Sequence, residues 1–498
     1  MKQKNVLFLI CDQFRFDCIA ALGNPIIQTP NLDRLVRRGI SYTEAYSTCP
    51  VCVAARYTVM TGCEPALTGC FSNEPPAGDA DQAPTIGGRC GPYLAEAMGK
   101  LGYRTFGIGK FHTKPDCYEP LGFETHMHTE ELWETPEIKD KDAYAGMIRR
   151  EHPEYAHIDQ LHGERTNMYY VPQMSPLPAE LTVESFVADK AVEQLTIDDG
   201  RPYFGYVSFV GPHPPCAPPA PFHLLYDPDV MPGAYRGDPE TDHMDEQIPF
   251  MNHLIWADDM SDFMVKNLKS RYYAEITYID QCIGRILDAV EARPDADDTV
   301  ICFFSDHGDH LGDHNAWQKE SFFEQSCKIP FLLSAPGMLP ANSRSNGLIC
   351  LTDLFSIATG AAGCCETRDG VDVLSGQKRD AVWGTYGRPG TARFKIMLRQ
   401  GDYKYIYIAN GGREQLFSMS KDPKELTNLA ETEQEVLMAM RRQTAEYCRR
   451  PGLRAATADD GLLALPYEER PRVRIHQFEF SKKIEDFVVS SHNYISAP

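Results

Sequence analysis

Long apolar runs are missing from this chain. No stretch approaches the ~18 consecutive apolar residues that a membrane helix requires, so no membrane span is expected. Positive charge is also in deficit: 49 lysines and arginines face 70 aspartates and glutamates, a formal net charge of −21. That balance argues against sequence-independent binding to nucleic acid or to an anionic membrane, and any anionic ligand must be held by a local cluster of cations. Cysteine is too scarce for a disulfide scaffold, with sixteen in 498 residues. Several of them (Cys11, Cys282, Cys302) lie in apolar stretches and read as small buried thiols. Internal repeats and low-complexity tracts are lacking as well. The N-terminal Met1-Lys2-Gln3-Lys4-Asn5 runs into the short apolar segment Val6 to Cys11 with no small-residue cleavage site after it, so that segment reads as a strand and not as a secretion signal. A cytoplasmic protein is the expectation.

What is present is a globular composition, 43% hydrophobic and 24% charged, in a chain long enough for a large core and a second domain. Short β-rich runs alternate with helical patterns over most of the length, which predicts an α/β fold with a large mixed, mostly parallel sheet between helices. Val6 to Cys11, Arg104 to Gly109, Tyr203 to Val210, Thr299 to Ser305 and Pro330 to Ser334 are the predicted strands, nearly all continuously apolar as strands buried on both faces should be. Thr29-Pro30 predicts a capped helix start with an end at Gly39, and Ser261 to Ala292 a long helix. The proline-rich stretches Pro212 to Pro221 and Pro228 to Gly233 predict surface excursions near a strand end.

After Gly370 the pattern turns to short alternating pieces, Lys395 to Leu398, Tyr403 to Ile408 and Gln415 to Phe417, followed by a helix near Gln434 to Arg449. The division expected is residues 1–375 as the main α/β domain and 376–498 as a small α+β domain with an antiparallel sheet, a helix and a C-terminal arm. That arm, with Phe478, Phe480 and Phe487, would pack either on its own chain or on a second subunit of a homo-oligomer.

Open α/β sheets bind ligands at the carboxyl ends of their strands. Two predicted strands end there in polar residues, Asp12-Gln13 and Asp306-His307-Gly308. Carboxylates from separate strands repel at one edge unless a divalent cation or another charge neutralises them, although a single Asp at a strand end is ordinary turn chemistry. Cys52 begins a predicted short helix with Arg56 one turn later on the same face, a natural anion site. Cys49-x-x-Cys52 alone would also suit a redox pair or half of a zinc site, but no second Cys-x-x-Cys follows.

The chain resembles the type I, formylglycine-dependent sulfatases of the alkaline phosphatase superfamily. The resemblance runs through Asp12-Gln13, Thr29 to Leu35, the segment Cys52 to Gly62, Gly109-Lys110-Phe111-His112, Gly211-Pro212-His213-Pro214, Ser305 to Gly308, Trp317-Gln318-Lys319, Tyr403 to Ile406 and Asp422 to Leu429. It implies an alkaline-phosphatase-like fold and hydrolysis of a carbohydrate, aryl or choline-type sulfate monoester. Cys52 would be oxidised to formylglycine, whose hydrate attacks sulfur. The family pattern implies a metal held by Asp12, Gln13, Cys52, Asp306 and His307, with Ca2+ expected and Mg2+ or Mn2+ also suited. Arg56, Lys110 and Lys319 would surround the sulfate, His213 and Lys319 assist the leaving alcohol, and His112 take a proton from the covalent sulfated intermediate. His310 and His314 are expected to be loop or substrate-side residues, and the loop aromatics Trp133, Tyr169, Tyr170 and Trp256 are candidates for stacking on a substrate ring.

Ala54 and Ala55 stand where proline and serine are commonest in the family signature. Cys-x-Ala-x-Arg resembles substrates of the anaerobic radical maturase, the partner expected here. Two rival readings share the motifs. A phosphonate monoester or phosphodiester hydrolase has the Asp-Gln start but tends to lack Gly-Lys-x-His. A catalytically dead relative would bind sulfated ligands only.

Overall fold

The computed structural model describes residues 3–74, 86–113, 118–130, 141–158, 170–459 and 461–472. The aromatics Trp133 and Tyr169 and the part of the expected C-terminal arm beyond residue 472, with Phe478, Phe480 and Phe487, lie outside them, while the arm's start contacts its own chain through the Leu465 N–H to the Ala409 carbonyl and the Glu468 N–H to Asn410.

Eight strands form the main sheet: β1 (Asn5–Cys11), β2 (Ile40–Tyr46), β3 (Arg104–Gly109), β4 (Thr125–His128), β5 (Tyr203–Phe209), β6 (Thr299–Ser305), β7 (Phe331–Ser334) and β8 (Ser343–Cys350). Their order is β4-β3-β5-β1-β6-β7-β2-β8. β4, β3, β5, β1 and β6 pair parallel, β7 runs antiparallel to both β6 and β2, and β2 pairs parallel with β8. β1 shows why its residues form a central strand. Leu7, Leu9 and Cys11 enter one core and Val6, Phe8 and Ile10 the other, so both faces of the pleat are buried. The first core is roofed by helices Pro30–Arg38, Val183–Leu195 and Asp262–Glu291. Helices Cys52–Thr61, Leu94–Lys100 and Asp353–Ala361 cover the second.

A separate antiparallel sheet contains β9 (Ala381–Tyr386), β10 (Lys395–Gln400), β11 (Tyr403–Ile408) and β12 (Arg413–Ser418), in the order β12-β11-β10-β9, with helix Gln434–Tyr447 against it. Lys404 on β11 reaches Glu324 of the main unit at 2.8 Å, a buried ion pair that fixes the small sheet in place.

Three local expectations meet a correction. Helix Pro30–Arg38 starts where predicted, but Thr29 does not cap it; its hydroxyl accepts from the Ala20 N–H at 2.9 Å. The free N–H groups of Asn31 and Leu32 donate instead to Asp280 at 3.0 and 2.8 Å, a cap supplied by another helix. The stretch 211–219 is buried rather than a surface excursion, because it folds back beneath helices Val183–Leu195 and Asp262–Glu291. His310 and His314 lie in the loop segment after β6, as expected, but are fully buried. The former pairs with the Ser321 hydroxyl at 2.7 Å, and the latter pairs with Asp242 at 2.8 Å and stacks on Phe323.

Candidate active site

The carboxyl edge of the parallel strands gathers nearly every polar residue singled out in the sequence. Asp12 and Gln13 follow β1, Lys110 and His112 follow β3, His213 follows β5, and Asp306 and His307 follow β6. Cys52 opens helix Cys52–Thr61, which is buried on all sides and aims its N-terminus at the same edge. The backbone is held in uncommon conformations here. Gln13, His112, Gln318 and Glu320 all have positive φ, between 48° and 73°, which costs energy at non-glycine residues and clusters at functional sites. Gly109, with φ of 97°, turns the chain into Lys110; a Cβ there would lie 1.8 Å from the Ser208 carbonyl oxygen.

The core of the site is a set of four donors. One ligand atom from each of Asp12, Cys52, Asp306 and His307 lies within 4.8 Å of the others, and all four residues are fully buried. Cys52 Sγ is 3.1 Å from His307 Nε2 and 3.7 Å from Asp12 Oδ1. His307 Nδ1 pairs with the Gly308 carbonyl at 3.0 Å, which makes Nδ1 the protonated nitrogen and leaves the Nε2 lone pair on the side of the carboxylates. Burial, aided by Lys319, pushes the His307 imidazole well below its usual range and keeps it neutral, as a metal ligand must be. Two carboxylates and one imidazole of this set suit a hard divalent cation, whereas the Cys52 sulfur is a softer donor.

Cations face this cluster from three sides. Lys110 Nζ contacts Asp12 Oδ2 at 2.7 Å. Arg56 reaches Asp12 at 2.9 Å and Asp306 at 3.0 Å, and also donates to the Lys110 carbonyl and to Ser208 Oγ. Lys319 Nζ donates to Gln13 Oε1 at 2.7 Å and to Cys52 Sγ at 3.2 Å. Burial alone would raise the Asp12 carboxyl, but Lys110, His213, Arg56 and Lys319 together hold it well below the usual carboxylate range. Asp306 goes the other way, up to about 7, because burial and the neighbouring Asp12 charge outweigh Arg56. Two buried carboxylates this close cannot both ionise freely. Arg56 meets both carboxylates directly.

His112 and His213 border the cluster. His213 Nδ1 pairs with the Pro214 carbonyl at 2.9 Å, and its charge bears on Asp12. The His112 backbone N–H donates to Glu130, which also accepts from His128 Nε2 at 2.8 Å. Burial opposes ionisation of Glu130, yet His112, His128 and Lys110 hold it down to about 2. His112, His213 and Lys319 keep a small exposure, 8%, 5% and 5%, where Cys52 and its four charged neighbours have none. The small solvent exposure at the cluster's border therefore lies at the two histidines and Lys319.

Two buried acids escaped the sequence reading. Glu130 lies beyond the short strand β4, which has no apolar run to announce it. Asp309 follows Asp306-His307-Gly308 directly and binds the Gln13 side chain and the Tyr170 hydroxyl, so Tyr170 is engaged in the site's framework. A third acid in a metal-type motif was the signal available for it.

Comparisons with known proteins bear on the same edge. The chain is 27% identical over 455 residues to an arylsulfatase of Clostridium perfringens, spanning 86% of this chain and 91% of that protein. It is 29% identical over 465 residues to a choline-sulfatase of Rhizobium meliloti, spanning 86% and 82%. Its fold matches the crystal structure of a phosphonate monoester hydrolase of Agrobacterium radiobacter with a TM-score of 0.74 at 24% identity, over 94% of this chain and 100% of that one. The sulfatase family model matches residues 4–364, from just before β1 to beyond β8, well over half of the 498 residues, and the chain belongs to the sulfatase family.

Proposed function

We propose that this protein hydrolyses a sulfate monoester of a carbohydrate, aryl or choline-type alcohol to the alcohol and inorganic sulfate, with residue 52 as the nucleophile after conversion of Cys52 to formylglycine. The observation that carries this reading is the place of Cys52, the first residue of a buried helix, with Sγ 3.1 Å from His307 Nε2, 3.2 Å from Lys319 Nζ and 3.7 Å from Asp12 Oδ1. Burial, and then the Asp12 charge, push the Cys52 thiol up to about 12 despite Lys319 and Lys110. A thiol protonated at neutral pH is neither a nucleophile nor a good ligand, although it sits at a helix N-terminus among groups suited to stabilise an anion. Cys52 Sγ stands in the structure for the oxygens of an aldehyde hydrate. The Cys-x-Ala-x-Arg context favours an anaerobic radical maturase as the source of that change.

Asp12, Gln13, Asp306, His307 and residue 52 would hold a divalent cation, Ca2+ by the oxygen-rich donor set, which when bound supplies positive charge to polarise the sulfate oxygens. Lys319, between Gln13 and residue 52, is placed to neutralise charge on the transferring group. Arg56 and Lys110 hold the Asp12 carboxylate ionised and oriented. His213, with Nδ1 engaged by Pro214, exchanges protons through Nε2 and is the candidate acid for the leaving alcohol. His112, kept in place by ionised Glu130, is the candidate base for the release of sulfate.

The fold likeness to a phosphonate monoester hydrolase and the Asp12-Gln13 start favour one second reading, a phosphodiester or phosphonate ester hydrolase. Matured protein is expected to turn over an aryl sulfate with a higher kcat/KM than the matching aryl phosphodiester. The opposite preference refutes the sulfatase reading.

A further inference from the structure

The chain carries an amide, Gln13, where a metal ligand is needed, and an amide has two unlike ends. Its oxygen is an acceptor and a ligand, whereas its NH2 group is a donor that repels a cation. Something must decide which end faces the cluster. Gln13 Nε2 donates to Asp309 Oδ2, with Gln318 Oε1 and the Tyr170 hydroxyl next at 3.4 and 3.3 Å. On the other side, Gln13 Oε1 accepts from Lys319 Nζ at 2.7 Å. Asp309 is itself anchored, since Oδ2 accepts from the Tyr170 hydroxyl and Oδ1 from the Leu311 N–H at 2.8 Å, and it is fully buried. A flipped amide would set NH2 against the Lys319 ammonium and oxygen against the Asp309 carboxylate, a mismatch at both ends.

We propose that Asp309 is a positioning residue that fixes the Gln13 amide with its oxygen toward the Asp12, Asp306 and His307 cluster. The inference rests on the reading of Gln13 as a metal ligand. The same geometry makes positions 13 and 309 complementary: a carboxylate at 13 offers oxygen at either end and has no orientation to fix, but it would face a second buried carboxylate at 309.

The test is Ca2+ binding by calorimetric titration of the metal-free full chain, with thermal unfolding in the absence of Ca2+ as the check that each variant folds. Asp309→Leu, which removes the acceptor, is expected in the Gln13 background to weaken Ca2+ binding roughly 10- to 100-fold, as loss of a partner behind a ligand does. In a Gln13→Asp background the same Asp309→Leu change is expected to leave binding unchanged or tighten it. Equal weakening in both backgrounds would mean that Asp309 acts through charge or stability alone and would overturn the proposal. Unchanged binding by Asp309→Leu in the Gln13 background would overturn it too. Gln13→Ala separates the two levels. If that variant binds Ca2+ as the parent does, Gln13 is not a ligand and the metal-site reading fails. If it binds weakly while Asp309→Leu does not, only the positioning role fails.

Discussion

Two pairs of buried carboxyl groups lie at the same edge of the main sheet, and of the four only Asp12 is held below the usual carboxylate range. Asp12 and Asp306 are contacted by Arg56 and Lys110. Glu184, on helix Val183–Leu195, and Glu275, on helix Asp262–Glu291, have no ion-pair partner among the described residues. Both pairs are deeply buried. A methyl group on Gly211 would meet Glu275 Oε1 at 3.2 Å and Glu184 Oε1 at 3.3 Å, so the two glutamates crowd one point. Burial pushes Glu184 up to about 7, and burial with the Glu184 charge pushes Glu275 well above its usual range. At Asp12 the surrounding cations reverse that trend.

The difference separates two uses of a buried acid. Where several cations surround it, as at Asp12, the acid stays charged, whereas Asp306, paired with Arg56 beside the Asp12 charge, rises as Glu184 does. Where cations are absent, the acid becomes neutral and serves as a hydrogen-bond anchor. Glu184 accepts from the Gly211 N–H at 3.3 Å and Glu275 from the Ala217 N–H, which ties down both ends of the segment that carries His213.

The contrast can be broken at several points. The largest effect is expected from Arg56→Ala, which strands two buried carboxylates. A loss of about 3–5 kcal/mol of stability in chemical denaturation is expected, along with loss of sulfate ester turnover. A change under about 1 kcal/mol would mean that Arg56 is not what balances the pair. Gly211→Ala comes next, because its Cβ would press on Ile279 Cδ1 at 2.8 Å as well as on both glutamates. It should cost about 1–3 kcal/mol and lower kcat more than it raises KM, since it displaces the His213 segment. An unchanged kcat would separate that segment from catalysis.

Glu184→Gln sharpens the contrast through pH. Below about 4.5 the wild-type carboxyl is protonated in both folded and unfolded chains. As pH rises toward 7 the unfolded chain ionises while the folded one does not, so stability falls through this window. The amide does not titrate and removes that loss, so the variant should gain on the order of 3 kcal/mol over wild type between about pH 4.5 and pH 7 while keeping activity at about pH 6. A parallel pair of stability curves across pH would contradict a neutral Glu184. Glu130→Gln is the mildest, with an expected fall in kcat of about tenfold and a displaced limb of the pH–rate profile if His112 acts as the base.

Much of the architecture was legible where burial writes a continuous apolar run. Arg104–Gly109 and Thr299–Ser305 form strands with the bounds the sequence suggests, because both faces of each are covered. β2, β4 and β8 were not legible. Ile40–Tyr46 and Ser343–Cys350 mix polar and apolar residues near one side of the sheet, and Thr125–His128 is a four-residue edge. The burial of residues 211–219 was hidden for a different reason. Prolines predict only where a ladder cannot continue, and not that two helices will close over the turn they make. At the site, residues at strand ends announced themselves, whereas Glu130 and Asp309 earn their places through partners far away in sequence. Asp280 as the cap of helix Pro30–Arg38 belongs with them, since its contacts cross about 250 residues and no local pattern encodes them.

The central claim is the chemical state of residue 52, and the most direct measurement is the mass of the peptide containing it, taken from protein that is turning over a sulfate ester. An aldehyde in place of the thiol, in proportion to specific activity across preparations, is the predicted result. Full activity with an intact Cys52 thiol would contradict the account.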